Sequence, residues 1–281
     1  MQIITSKPRC LWKAKTSLGE GIIWVSQQNS IYFTDINKKK IFQFNIKTKK
    51  KKIIKLNKKI GFLSHLKKNI FVLGLKDELR ISDIVSKKIF KSIAVEKQFP
   101  FNRINDGKTG LDGNLWFGTL DDSGDKKPTG SLYVVKKSGK ILKIDQNYIT
   151  TNGPAFIKHN YFYHNDSSKK IIYKIKVNKQ FKKIKKNIFI KFKSSFGSPD
   201  GMTLDKKNNL WVCFYRGGCI RVFNTRGKQI HLIKFPTKNI TNCIFGSKQN
   251  SKLYVITAVG NLYEIKTNVM GNPTPRLNLS F

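Results

Sequence analysis

Six short segments of one type recur along the chain: NSIYFTDI (29–36), KNIFVLGL (68–75), GNLWFGTL (113–120), HNYFYHND (159–166), NNLWVCFY (208–215) and SKLYVITA (251–258). Each is a polar turn running into an aromatic-rich β-like run. Their central aromatics, Tyr32, Phe71, Trp116, Phe162, Trp211 and Tyr254, lie 39, 45, 46, 49 and 43 residues apart. A period in the mid-forties is that of a propeller blade. A second β-like run follows each: IFQFNIK, ELRISDI, SLYVVKK, IIYKIKV, CIRVFNT and NLYEIKT. Lysine, glycine, asparagine and serine fill the turns between them. No long stripe of helical period interrupts the pattern. Two β-sandwiches would also use alternating aromatics, but six copies at nearly constant spacing favour a six-bladed β-propeller of four-stranded antiparallel blades. The run around Cys10–Ala14 precedes the first repeat, so it is expected to supply the outer strand of the last blade and close the ring. The whole chain, 1–281, is then one domain.

Polar residues occupy one phase of this repeat. Ten to twelve residues before the central aromatics lie Glu20 in GEG, Asn105 in NDG, Asn152 in NG, Asp200 in PDG and Asn242 in TNC. The second blade, around Ile60 and Gly61, breaks the pattern. Equivalent positions are related by rotation about the propeller axis, so on innermost strands these side chains would converge on one end of the central channel. Asn-Gly and Asp-Gly pairs also make ordinary turns, but turn chemistry does not require carboxylates at Glu20 and Asp200. Two carboxylates with two or three amides form an oxygen-rich, anionic ring suited to a hard divalent cation.

The 55 Lys and Arg against 16 Asp and Glu give a formal charge of +39, which raises the question of nucleic acid. Only seven of these cations are arginine, whereas base readout and bidentate phosphate recognition favour the guanidinium fork. The lysines recur along the entire chain in short runs, as solvated turns and faces do. No specific nucleic-acid partner is expected, and any DNA affinity should be indifferent to sequence and collapse at physiological salt. Four cysteines without CxxC pairing read as reduced, buried thiols and point to a cytoplasmic compartment. No apolar run reaches signal-peptide or membrane-span length, so no membrane association is expected. So large a net charge disfavours close self-association, and a monomer or weak dimer is expected. There is no HExxH, GxSxG or GxxxxGK[ST] motif. His65, His159, His164 and His231 fall at unrelated repeat positions and read as packing or surface residues.

The chain resembles the gluconolactonase/regucalcin (senescence-marker-protein) family of six-bladed propellers. LGEGIIW resembles that family's first-blade motif, NDGKTGLDGNLWFGTL its third, and SPDGMTLDKKNNLWVCFYRGGCIRVF its fifth; TNGPAF and TNCIFGSKQNSKLYVITA are shorter echoes. The resemblance implies that Glu20, Asn152 and Asp200 hold one divalent cation. Calcium leads, with magnesium, manganese, iron(II) and zinc as alternatives. It further implies that Asn105 reaches the bound water or substrate, and that Arg103 contacts the hydroxyls of a sugar lactone. Ile22 and Leu120 replace the family's usual proline and methionine. Asp121, Asp122 and Ser123 occupy the stretch where some members carry a substrate-binding glutamate, and Asp122 is taken as the substrate contact. The connection DDSGDKKPTG, longer than its counterparts, reads as a loop over the pocket.

The implied activity is metal-dependent opening of a small aldonolactone, such as glucono-, xylono- or arabinono-lactone, with Asp200 as general base. Its pKa should be pulled down by the cation. Two other readings keep the fold: the same site acting on another lactone or phosphoester-like bond, and a calcium-binding or polyanion-binding propeller with no catalysis.

Overall fold

The computed structural model describes residues 3–280. Among them are twenty-four strands, two single-turn 3-10 helices and no α-helix. The strands form six four-stranded antiparallel sheets, each of the first five ordered in the sequence of the chain. The innermost strands are Gly19–Val25, Ile60–Lys67, Asn102–Thr109, Thr151–Lys158, Ser198–Leu204 and Ile240–Gly246. Each packs against the next, and the sixth packs against the first, so the ring is continuous. The sixth sheet consists of Ile240–Gly246, Lys252–Thr257, Asn261–Lys266 and, outermost, Arg9–Lys13. Arg9 pairs with Glu264 and Cys10 with Tyr263. The chain is thus a six-bladed propeller closed by its first strand.

The repeat works as its composition suggests. All six central aromatics lie on second strands and are almost wholly buried, filling the space between adjacent blades. Trp116 meets Phe162 of the next blade with ring centroids 4.9 Å apart, and Tyr32 meets Phe71 at 5.0 Å. Aromatic pairs at this spacing add to their burial a directional term of roughly 0.5–1.5 kcal/mol each. Fourth strands are lysine-rich and largely exposed, as in KKIIK (51–55) and KIKKNIFIK (183–191). Charge at an unpaired sheet edge discourages pairing with another chain. Three cysteines are buried, but Cys10 is exposed on the outermost strand, where an edge residue has no blade to cover it.

Every innermost strand slips register against its neighbour at the same phase. The irregularities fall between Glu20 and Ile23, Ile60 and Phe62, Ile104 and Gly107, Asn152 and Ala155, Pro199 and Met202, and Ile240 and Asn242. A bulge releases one or two residues from the ladder and re-aims their side chains. In the second blade the released residue is Gly61, where an added Cβ would lie 2.0 Å from the Asn105 carbonyl oxygen. The ring therefore has no sixth side chain because the backbone of the third blade occupies its place. Gly61→Ala is expected to destabilise the protein by about 2–4 kcal/mol, as read from urea unfolding; a loss below about 0.5 kcal/mol would show that the two strands part easily.

Beyond the last blade, residues 268–280 run across the opposite face of the ring. They are held at one side by the Asp205–Gly271 bridge and at the other by Asn278 N–H to Gly113 O, 2.9 Å. Leu277 is buried with Leu66 and Leu115. Residues 272–276 cross the channel mouth between these anchors.

Candidate functional site

Glu20, Arg103, Asn105, Asn152, Asp200 and Asn242 all lie on innermost strands and all are buried. Local structure fixes their approach. In the first blade, Asp35 at the end of the second strand accepts hydrogen bonds from the N–H groups of Ser17 and Leu18 (2.8 and 3.2 Å). In the fourth, Asp166 does the same for Ile149 and Thr150 (2.9 and 3.1 Å). These carboxylates pin the turns leading into the strands that carry Glu20 and Asn152.

The amides are not equivalent. Asn105 Oδ1 accepts from Arg103 Nη1 (2.6 Å), and its Nδ2 donates to Thr151 O (2.7 Å) and Asn152 Oδ1 (3.0 Å). Asn242 spends its carbonyl on Cys243 N–H and points its Nδ2 at Glu20 and Asp106. Asn152 instead donates through Nδ2 to Ser167 Oγ (2.9 Å) and keeps a lone pair on Oδ1 beyond the one used by Asn105. Each of the three carbonyls accepts a single hydrogen bond and keeps a second lone pair; what sets Asn152 apart is that its partners, Asn105 and Ser167, are both side chains. Ser167 donates to Asn165 Oδ1 (3.2 Å), and Asn165 Nδ2 to the Asp200 carbonyl (2.7 Å), so the fourth and fifth blades are tied at this level.

Three carboxyl groups crowd this end of the channel. Burial, reinforced by the Asp106 carboxylate, pushes Glu20 up to about 8. Burial, then Glu20 and Asp106, holds Asp200 well above the usual carboxylate range. Asp106 is raised by burial despite the ammonium of Lys108. The sequence expectation of a lowered Asp200 presupposes a cation, and without one repulsion and desolvation act the other way. Asp200 Oδ1 is buried and has no hydrogen-bond partner. A buried acceptor in that state costs about 1–3 kcal/mol, and a divalent ion would satisfy it. The described residues contain no cluster of three or more His, Cys, Asp or Glu side chains set to hold a metal ion. A cation here would therefore draw on amide oxygen as well as carboxylate, which matches the donors Glu20, Asn152 and Asp200.

Beside these donors, Arg103 donates from Nε to Asp122 Oδ1 (2.8 Å), and Lys59 pairs with Asp122 Oδ2 (2.6 Å). Burial raises the Asp122 pKa, but the two cations outweigh it and hold the carboxyl below its ordinary value. Asp121 turns away and accepts from Ser123 N–H, Ser123 Oγ and Lys127 N–H, organising the 121–129 connection. The three candidates of that stretch are thus separated: Asp122 faces Arg103, whereas Asp121 and Ser123 build the loop.

Four participants were not identified from sequence. Asp106 accepts from Gly107 N–H (2.9 Å) and Gly153 N–H (3.0 Å) and is 2 % exposed; its place in NDG was the available signal. Asn165, Ser167 and Lys59 join through packing between blades, which no local motif records. His159 is exposed. His164 is fully buried, where desolvation pushes it down to about 3, and no histidine joins the network.

A six-bladed propeller with buried carboxylates and amides at one end of its channel and an arginine-carboxylate pair beside them defines a class of channel-site propellers. The chain belongs within it to the SMP-30/gluconolactonase/LRE-like family, whose pattern it matches over residues 18–259. It is 28% identical over 258 residues to regucalcin of Danio rerio, covering 90% of this chain and 86% of that one. It is 27% identical over 250 residues to the putative sugar lactone lactonase YvrE of Bacillus subtilis, covering 88% and 85%. The structure of regucalcin from Agrobacterium tumefaciens, described as a calcium-binding protein, superposes with a TM-score of 0.91 over 97% of both chains at 22% identity. That last likeness is one of fold.

Proposed function

We propose that the protein hydrolyses the ring ester of a small polyhydroxylated lactone, with one divalent cation held by Glu20, Asn152 and Asp200. The observation that carries this reading is the unpartnered, buried Asp200 Oδ1 among raised carboxyl groups, directly beside the Arg103–Asp122 pair. Family membership and the lactonase relative support the substrate class. Calcium leads among the cations because the donors are all oxygen, as a hard ion requires, and the regucalcin of Agrobacterium tumefaciens that shares this fold is described as calcium-binding.

When bound, the cation supplies Lewis-acid polarisation of the lactone carbonyl. Asp200 takes a proton from the attacking water and delivers it to the departing ring oxygen, so that the ester becomes a hydroxy acid. Arg103 orients the ring hydroxyls, and Asp122 and Asn105 hold its guanidinium in place. Asn105 also fixes the rotamer of Asn152. Glu20 contributes charge. The compartment proposed is the cytoplasm; among the described residues no helix is long and apolar enough to cross a membrane.

A panel of five- and six-carbon aldonolactones followed by acid release, with and without chelator, tests the reading. Hydrolysis of at least one, abolished by chelator and restored by calcium, is expected. Absence of turnover with calcium, magnesium, manganese, iron(II) and zinc alike would leave a cation-binding propeller without this chemistry. Asp122→Asn is expected to raise KM about tenfold, in line with loss of a charge-assisted hydrogen bond, while cation affinity by calorimetry stays within about twofold. An equal loss of cation affinity would mean that Asp122 supports the cation and not Arg103.

A further inference from the structure

The innermost strands run side by side, so residues further along each lie further down the channel. Lys108 is three residues beyond Asn105, and Ile244 two beyond Asn242. At about 3.3 Å per residue these are steps of roughly 7–10 Å. At this depth the channel opens into a cavity of about 140 Å3, closed on its far side by residues 272–276. Its lining is more apolar than polar: Trp24, Phe156, Met202 and Ile244 stand with Ser64, Thr109 and Thr203, and Lys108 and Arg276 are among the lining residues. Lys108 Nζ donates to the Met202 carbonyl, which holds it in the channel between the two levels. His65 also lines the cavity; burial, and to a smaller extent Arg276, keep its pKa below the usual value. No aspartate or glutamate lines it. Glu20, Asp106 and Asp200, the carboxyl groups of the channel, belong to the other end and are absent from these walls.

We propose that this cavity is a second binding site, distinct from the cation end, for a small monocarboxylate with a compact apolar body. The volume sets the body: an engineered apolar cavity of about 150 Å3 accepts benzene. Charge sets the head group: Arg276 and Lys108 line the space, no aspartate or glutamate does, and neither cation forms an ion pair with a carboxylate among the described residues, although Lys108 also acts electrostatically on Asp106 at the other level, so Arg276 is the principal cation of the site. A carboxylate therefore gains charge-assisted hydrogen bonds here that a neutral group of the same shape lacks.

Isothermal titration of the calcium-loaded protein with benzoate, and with benzamide as its neutral isostere, tests this. One benzoate per chain is expected, with benzamide at least tenfold weaker. Arg276→Gln and Lys108→Met should each weaken benzoate at least fivefold and leave benzamide unchanged. Ile244→Trp, which fills the space, should abolish binding of both while the far-ultraviolet circular dichroism and calcium affinity stay as they were. If Ile244→Trp does not fold, the two charge variants carry the test. Absence of benzoate binding up to millimolar concentration, equal binding of the two probes, or displacement of benzoate by an aldonolactone would overturn the proposal. The last would place benzoate at the cation end. Because the readout is binding of a non-substrate, it holds or fails whether or not the protein hydrolyses lactones.

Discussion

Asp200→Asn is expected to lower lactone hydrolysis by about 10²–10⁴-fold, the range for losing a positioned general base, and to weaken calcium binding in the same protein. Both effects follow from one atom. Asp200 Oδ1 is buried without a partner, and in the proposed chemistry the carboxylate both faces the cation and accepts the proton of water. The amide keeps the shape of the side chain, so the fold should stand; it removes the negative charge and replaces one oxygen by an N–H donor that cannot ligate. Steady-state rates on the best aldonolactone, with calcium affinity measured on the same preparation, check it. A variant that keeps more than a tenth of the activity would show that another group takes the proton, with Glu20 and Asp106 the nearest alternatives.

The second large effect is on stability, and it inverts with the cation. In the cation-free protein Glu20 is raised from about 4.5 to about 8. A carboxyl whose folded pKa lies above its unfolded value stabilises the fold fully below the unfolded pKa, and that contribution is lost as pH rises through the folded pKa. At 1.36 kcal/mol per unit, the change for Glu20 alone is on the order of 5 kcal/mol, and the raised Asp200 adds in the same direction. Chelated protein should therefore melt at a distinctly lower temperature at pH 8.5 than at pH 5. Calcium should restore most of the loss at pH 8.5 and little at pH 5, because it binds the ionised carboxylates. Thermal denaturation at the two pH values, with chelator and with calcium, gives all four points. A chelated protein equally stable at both would mean that the carboxyl groups are better solvated than their burial indicates.

The fold was open to reading because its unit repeats. Six aromatics that each fill a gap between blades leave the same mark six times, and Arg9–Lys13 could be assigned to the last blade simply because ring closure demands a strand there. The site was legible to the extent that it shares the repeat phase. Glu20, Asn152 and Asp200 carry that mark, as does Asn105. What sequence could not convey was how each amide is rotated. That choice depends on Ser167, Thr151 and Cys243, whose hydrogen bonds decide how Asn152, Asn105 and Asn242 are rotated. Asp106 was missed for a related reason. Alternation along a regular strand turns neighbours to opposite faces, and only the slip between Ile104 and Gly107 lets Asn105 and Asp106 both enter the network. Gly61, the break in the pattern, is where a side chain would collide with the backbone of the third blade at Ile104 and Asn105.

The strand at Arg9–Lys13 also sets an order of events during synthesis. Its partner, Asn261–Lys266, is made some 250 residues later. At about 5–20 residues per second, the early strand waits at least roughly ten seconds on the ribosome with its edge unpaired. Five sheets are each formed from consecutive strands and can assemble as they emerge; the sixth must recover a segment made some 250 residues earlier. Glu20 and Asp200 sit in the first and fifth blades, with the late sixth blade between them on the short way round the ring. In the proposed scheme the two carboxylates reach their final separation only once the sixth blade stands between them, so capture of a cation would follow completion of the ring.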